Sequence, residues 1–199
     1  MSTVKSKKLQ VGTDASASNN FTIYQPAVPD GTLRVGVGNA DNPTEVGRFT
    51  SAGYKPATAP LMQVHLDADQ TLSQNTVTKL NFGTVNIDTT GDYDSTNKRW
   101  IPSVAGYYKI YITFHPDMAS SSGNWYARIF VNGTGTKLEY TMTEPQLAQN
   151  QNVRCSAIIY LNGTTDYVEA YANHNVAGTK NVYSPSIYTY FEGHLIQQA

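Results

Sequence analysis

The chain has 199 residues, of which 15% are charged, and a formal net charge of −1. That length supports one sizeable core with a small appendage, and the charge balance leaves no basic stripe of the kind that grips nucleic acid or an acidic membrane. A single cysteine, Cys155, excludes an internal disulfide framework and any multi-thiolate metal site, and reads as a buried apolar thiol on a strand. No apolar run reaches the length of a membrane span, so membrane insertion is not expected. Fourteen tyrosines, abundant Thr, Asn and Gly, and few helix formers make an all-β composition.

Residues 1–20 are polar and poor in apolar side chains. An extended anchoring arm is expected there, disordered alone in water and ordered only by a partner surface. Lys5, Lys7 and Lys8 read as a solvated tail. Residues 21–59 hold short β-like runs at Phe21–Tyr24, Thr32–Val37 and Glu45–Thr50, broken by Pro and Gly turns. They carry too few large apolar residues to bury a core of their own. Pro56 and Pro60 favour an extended path and place a boundary before a knob of residues 60–199.

In the knob, Leu61–Leu66 reads as the first strand and Thr71–Thr78 as a polar turn or edge strand. Phe82–Ile87 is a strand, residues 89–97 a turn-forming patch, and Arg99–Val104 a short strand carrying Trp100. In Tyr107–Phe114, Tyr108, Ile110, Ile112 and Phe114 share one face, and Tyr107, Lys109, Tyr111 and Thr113 the other. A solvent-facing strand side rarely needs two tyrosines, so a covering subunit is expected. After a loop at 116–123 comes Trp125–Val131, a hairpin turn at Asn132-Gly133 and a return strand Lys137–Met142. A polar loop spans 145–152, then strand Val153–Leu161, a second hairpin signal at Asn162-Gly163, strand Tyr167–Asn173, a long loop His174–Ser186 and a closing strand Ile187–Ile196. About eight to ten short strands at regular spacing mean a sandwich or jelly roll.

One spacing stands out: Phe82, five residues, Asp88, four residues, Tyr93, six residues, Trp100, five residues, then Gly106-x-Tyr108. It resembles the signature of the C1q/TNF-like domains, with Trp100 for the usual Phe and with Ile110 and Ile112 where that family prefers aromatics. These departures keep the positions apolar. Phe191-x-Gly193-x-Leu195 is similar to the family's last strand. The resemblance covers roughly residues 60–199. It implies a jelly roll of two antiparallel sheets that closes into a threefold homotrimer. The knob core is then Phe82, Tyr93, Trp100, Tyr108, Ile110, Ile112, Phe191 and Leu195, and Tyr111 and Tyr190 are the candidates for the subunit-facing side. A second, shorter resemblance links DGTLRVGVGN and FTSAG to the small β segments before terminal knobs in tailed-bacteriophage fibre and virion-surface proteins. It implies a virion surface protein whose residues 1–59 hold the major capsid protein or another virion component. The knob would serve as a capsid decoration, cement or head-fibre protein, or as a tail-fibre tip for a host-surface glycan or receptor. The brevity of the chain favours decoration. A free C1q-like lectin or ligand-binding module is the alternative.

No catalytic constellation is legible. His65, His115, His174 and His194 are scattered, and Val35-Gly36-Val37-Gly38 lacks the helix a phosphate loop requires. Asp67-x-Asp69 and Asp92-x-Asp94 offer oxygen ligands for calcium but fit turn geometry better. The triplets at Asn20, Asn132 and Asn162 fit the glycosylation pattern, and the last two are better explained as turns. The chain shows no apolar leader and no collagenous stalk, which points away from a secreted animal protein. The expectation is a non-enzymatic protein with no cofactor, metal or nucleic-acid partner.

Overall fold

The computed structural model describes residues 7–56, 59–117, 123–143, 152–184 and 187–199. Two compact units emerge, Met1–Ala59 and Pro60–Ala199. In the first, five strands form an antiparallel meander in chain order: β1 Lys8–Val11, β2 Phe21–Tyr24, β3 Leu33–Val37, β4 Thr44–Thr50 and β5 Gly53–Pro56. From Lys8 onward the supposed arm is therefore part of a sheet, since β1 pairs with β2 from Lys8↔Tyr24 to Val11↔Phe21. The surface that orders it is its own neighbouring strand. Its return to β2 passes a 3-10 turn at Ala17–Asn19 and is clamped by buried Asn20. The Asn20 Oδ1 accepts the Asp14 N–H at 2.9 Å, and its amide donates to Asp14 O at 2.8 Å and Asn39 Oδ1 at 2.7 Å. Asn20 is thus a structural residue, whatever triplet it heads.

The second unit contains β6 Leu61–Leu66, β7 Gln70–Leu72, β8 Thr78–Lys79, β9 Phe82–Asp88, β10 Tyr93–Asp94 and β11 Arg99–Trp100. There follow β12 Ala105–Pro116, β13 Gly123–Val131, β14 Thr134–Thr143, β15 Val153–Asn162, β16 Val168–His174, β17 Lys180–Tyr183 and β18 Tyr190–Gln198. One sheet runs β10-β11-β16-β13-β14, with β8 beside β16. The other runs β7-β17-β12-β18-β6-β9, with β15 also on β12. The long β12 is the hub of that sheet. Ala105–Phe114 pairs with β15, Gly106–Thr113 with β18, and His115 and Pro116 with β17.

One apolar cluster joins the inner sides of the two sheets. Ile110, Ile112, Phe114 and Phe191 come from the hub sheet, and Trp100, Trp125, Ile129 and Val168 from the other, all fully buried. Phe82 and Tyr108 are buried with them, while Tyr93 and Leu195 are half-buried and pack against the cluster. Strand periodicity does the sorting, because successive side chains point to opposite faces.

The spacing singled out in the sequence is a set of mutual contacts. Asp88 accepts the backbone N–H groups of Gly91, Asp92 and Tyr93 at 2.9–3.1 Å, which turns the chain after β9. The Tyr93 hydroxyl donates to Phe82 O at 2.7 Å, tying the turn back to the start of that strand. Trp100 meets Tyr108 edge-on, with ring centroids 5.3 Å apart, and the Tyr108 hydroxyl donates to Val104 O at 2.6 Å. Gly193 leaves room for the indole of Trp100, since a Cβ there would lie 2.3 Å from its Cζ3.

Three features differ from the sequence reading. The stretch 174–186 is not all loop, because Lys180–Tyr183 pairs with β7 and with the end of β12. Asn162-Gly163 makes a turn but no hairpin, as β15 and β16 belong to different sheets and the turn is a corner between them. The Asn162 Oδ1 accepts the N–H groups of Thr164, Thr165 and Asp166 and so builds a longer loop than a hairpin uses. The strand expected over Arg99–Val104 pairs only at Arg99–Trp100. By contrast Asn132-Gly133 closes a two-residue hairpin, Val131 opposite Thr134, with φ of 51° and 74°. Loop residues 118–122, most of the polar loop 145–152, and Lys5 lie outside the described residues.

A Gly193→Ala chain is expected to lose about 1–3 kcal/mol through overpacking against Trp100. Calorimetry checks this as a fall in Tm of roughly 3–10 °C. An unchanged Tm would mean the indole does not sit against β18.

Candidate assembly face

The outer side of the hub sheet follows from its register. One row runs Arg154, Thr113, Tyr190, His65, and the next Ser156, Tyr111, Glu192, Gln63. A third runs Ile158, Lys109, His194, Leu61, and Tyr160 stands opposite Tyr107 beyond it. Because β12 sends its even-numbered residues from Tyr108 to Phe114 into the core, Tyr107, Lys109 and Tyr111 must point away from it.

Aromatic rings dominate this face. Tyr111 and Tyr190 are half-buried neighbours with centroids 5.8 Å apart, and Tyr107 and Tyr160 lie 5.6 Å apart, edge to face. Ile158 between them is 62% exposed. The charges are few and mixed: Lys109 Nζ donates to Ser156 Oγ at 3.1 Å, and Gln63 Nε2 to Glu192 Oε2 at 3.1 Å. Burial, with the Tyr111 ring beside it, raises the pKa of the Tyr190 phenol, so it stays a neutral donor across the physiological range. Such a surface suits a protein contact: large apolar area, hydroxyls at its rim, and no concentration of one charge.

Tyr111 and Tyr190 thus stand together on this face. Ile158 and Tyr160 were not singled out in the sequence, although the alternation Val153, Cys155, Ala157, Ile159, Leu161 already turns them outward. Their place beside β12 depends on a long-range register that no local pattern reveals.

Most of the candidate chemical groups are engaged in structure, although the buried Nδ1 of His65 has no hydrogen-bond partner among the described residues. His174 is buried, with Nδ1 3.1 Å from Val176 O and Nε2 3.2 Å from Leu72 O. His115 meets Asn152 Oδ1 at 3.0 Å between Tyr183 and Tyr188. His65 and His194 lie on the outer face of the hub sheet. Asp92 accepts Ser103 N and Oγ and the Thr90 hydroxyl. Asp69 accepts the Ser184 N–H at 2.7 Å, and Asp67 the Thr84 hydroxyl. Asn132 bridges to Asp166 and to the Tyr167 N–H, so that turn and the corner at Asn162 hold each other. Among the described residues no three of His, Cys, Asp and Glu are grouped to hold a metal ion.

No protein-family model and no curated protein matches the sequence. Solved structures do match in shape. The Eiger TNF of S. frugiperda aligns with a TM-score of 0.51 at 11% identity, covering 71% of this chain and 94% of its own. Murine APRIL at pH 5.0 gives 0.51 at 10%, covering 70% of this chain and all of its own. The globular domain of zebrafish complement 1qA gives 0.49 at 13%, covering 71% and 100%. Those shares of this chain are about the length of the second unit. The fold is an all-β, C1q/TNF-like jelly roll of antiparallel sheets.

Asp94 links the face-distant turn to solution conditions. It accepts the N–H groups of Thr96 and Asn97, the Asn97 amide and Arg99 Nε. These bonds, led by the Asn97 amide, hold its carboxyl down at about 2. A depressed carboxylate stabilises the fold fully above its ordinary 3.8 and loses that contribution as pH falls through about 2. In Tm measured from pH 6 to pH 2, an Asp94→Asn chain is therefore expected to show a shallower acid decline than the parent. Parallel curves would refute the assignment.

Proposed function

We propose that the chain is a non-enzymatic homotrimer exposed on the surface of a tailed-bacteriophage particle, with residues 1–59 attached to the particle and the jelly-roll unit directed outward. The observation that carries the trimer is the tyrosine-lined outer face of the hub sheet. Ile158, Tyr107 and Tyr160 still expose about half of their surface, so completing their burial is worth roughly 1 kcal/mol each. A cyclic assembly repeats that gain at every interface and leaves no face open. Supporting the trimer, the fold is that of C1q/TNF-like domains, a class whose usual assembly is threefold. The particle setting is supported by the phrase Asp30–Asn39 with Phe49–Gly53 and by the layout of a small β unit before a terminal knob. Within that setting the layout of one small β unit before a single knob suits a capsid decoration, cement or head-fibre role, contacting the major capsid protein, better than a host-binding tail-fibre tip.

Light scattering on the full chain is expected to give three times the 21.8 kDa of one copy. An Ile158→Asp, Tyr160→Asp chain is expected to run as monomers while keeping its β circular dichroism. A parent chain that is monomeric at micromolar concentration would end the proposal. Capture of virion proteins by the parent chain is expected, and glycan-array binding without such capture would instead favour a free lectin-like module.

A further inference from the structure

The first unit has an unusual deficit. Among its described residues no apolar side chain is buried: the buried positions are Asn20, Thr22 and three glycines. Most of its apolar side chains sit on one side of a single layer, with Tyr24 and Pro43 on the other beside Gly36. Two cross-strand rows, Leu9–Ile23–Val35 and Val11–Phe21–Val37, cover the β1–β3 half. A third row, Leu33–Phe49–Tyr54, extends the same face across β4 and β5. Gly47 continues it, because Tyr54 lies across that position, its hydroxyl oxygen 2.1 Å and its ring 2.5 Å from where a Cβ would be. Leu9 is 59% and Phe21 50% exposed. The reverse side is polar. There Arg34 pairs with Asp30 at 2.6 Å and with Glu45 at 3.0 Å, and Arg48 with Glu45 at 2.6 Å. A one-layer sheet with a dry face must cover it.

We infer that this face is covered by the same face of two other copies of the chain, the three sheets forming a closed triangular prism around an apolar axis. The inference rests on the threefold reading of the second unit. Charge selects the occupant first. The three rows carry hydroxyls only at Thr44 and Tyr54, and the Lys7 ammonium borders them only at the β1 edge beside Leu9 and Ile23, so the face offers a foreign partner few directional handles and fits best another face like itself. Size argues the same way. Five strands about 4.8 Å apart make a face about 19 Å wide and about 15 Å tall, or about 300 Å², well short of the roughly 800 Å² per partner of a stable free-standing complex. Tethering changes that balance. In the sequence only residues 57–60 separate β5 from β6, so a trimer of the second unit would hold three copies of the first at roughly millimolar effective concentration. Closure also fits. Three sheets about 19 Å wide, joined edge to edge, leave each sheet's centre about 5–6 Å from the axis. That is half the spacing of about 10 Å at which packed sheets fill the space between them. The middle strand of five is β3, so Val35 and Val37 would lie nearest the axis and the Arg34–Glu45–Arg48 side would face outward.

The test uses the full chain with Val35→Cys, oxidised gently, and reads both mass by light scattering and cross-links on a non-reducing gel. A trimer in which two of the three chains become covalently paired is expected, at least about tenfold above Lys55→Cys on the reverse side. A trimeric mass with no more cross-linking at Val35 than at Lys55 overturns this inference and leaves the assembly of the second unit standing. A monomeric mass overturns both. Should Val35→Cys fail to fold, Phe21→Lys decides. It is expected to leave the mass trimeric while making residues 7–56 at least about tenfold more sensitive to protease, and unchanged protection overturns the prism.

Discussion

The second unit is arranged around the meeting of Trp100 with Gly193 and Tyr108. The indole lies where a side chain on β18 would otherwise stand, and its edge contact with Tyr108 brings the short strand of one sheet onto the hub strand of the other. That approach fixes which residues of β12 are inside. A slip of one residue would exchange Tyr108, Ile110 and Ile112 for Tyr107, Lys109 and Tyr111, burying a lysine and exposing the core. The outward tyrosines are therefore a consequence of the core, and the assembly face is set by the same constraint that closes the sandwich.

The carboxylates and amides have been absorbed by the turns. Asp88, Asp92, Asp94 and Asn162 each accept two or more hydrogen bonds from nearby backbone or hydroxyl groups. A sheet protein with many short strands needs such groups at every corner, because the backbone N–H groups there have no ladder partner. This leaves the apolar faces, rather than the polar groups, as the parts of the molecule with unmet physical demands.

Much of the sandwich was legible because its determinants repeat at short range. The Phe82–Tyr108 spacing encodes contacts among residues within one turn-and-strand excursion, and period-two alternation marks the inner side of β12 and β15 without knowledge of their partners. What sequence could not supply was long-range register. Ile158 and Tyr160 join the face only because β15 lies alongside β12, and the corner at Asn162 resembles a hairpin until its flanking strands are assigned to separate sheets. Lys8–Val11 was misread for a related reason. Leu9 and Val11 alternate, but two apolar residues in a polar stretch carry weight only once Phe21 and Ile23 stand opposite them.

The order of strands in the hub sheet bears on how a cell makes this molecule. Gln63 and Glu192, hydrogen-bonded across neighbouring strands, are 129 residues apart in sequence. β18 occupies the slot between β6 and β12, so both earlier strands present an open ladder edge to solvent until Tyr190–Gln198 has been synthesised. Folding of the sandwich therefore waits for translation to pass that point, and nascent chains on one messenger, carrying the same open edges, are at their most adhesive just before they become able to pair correctly.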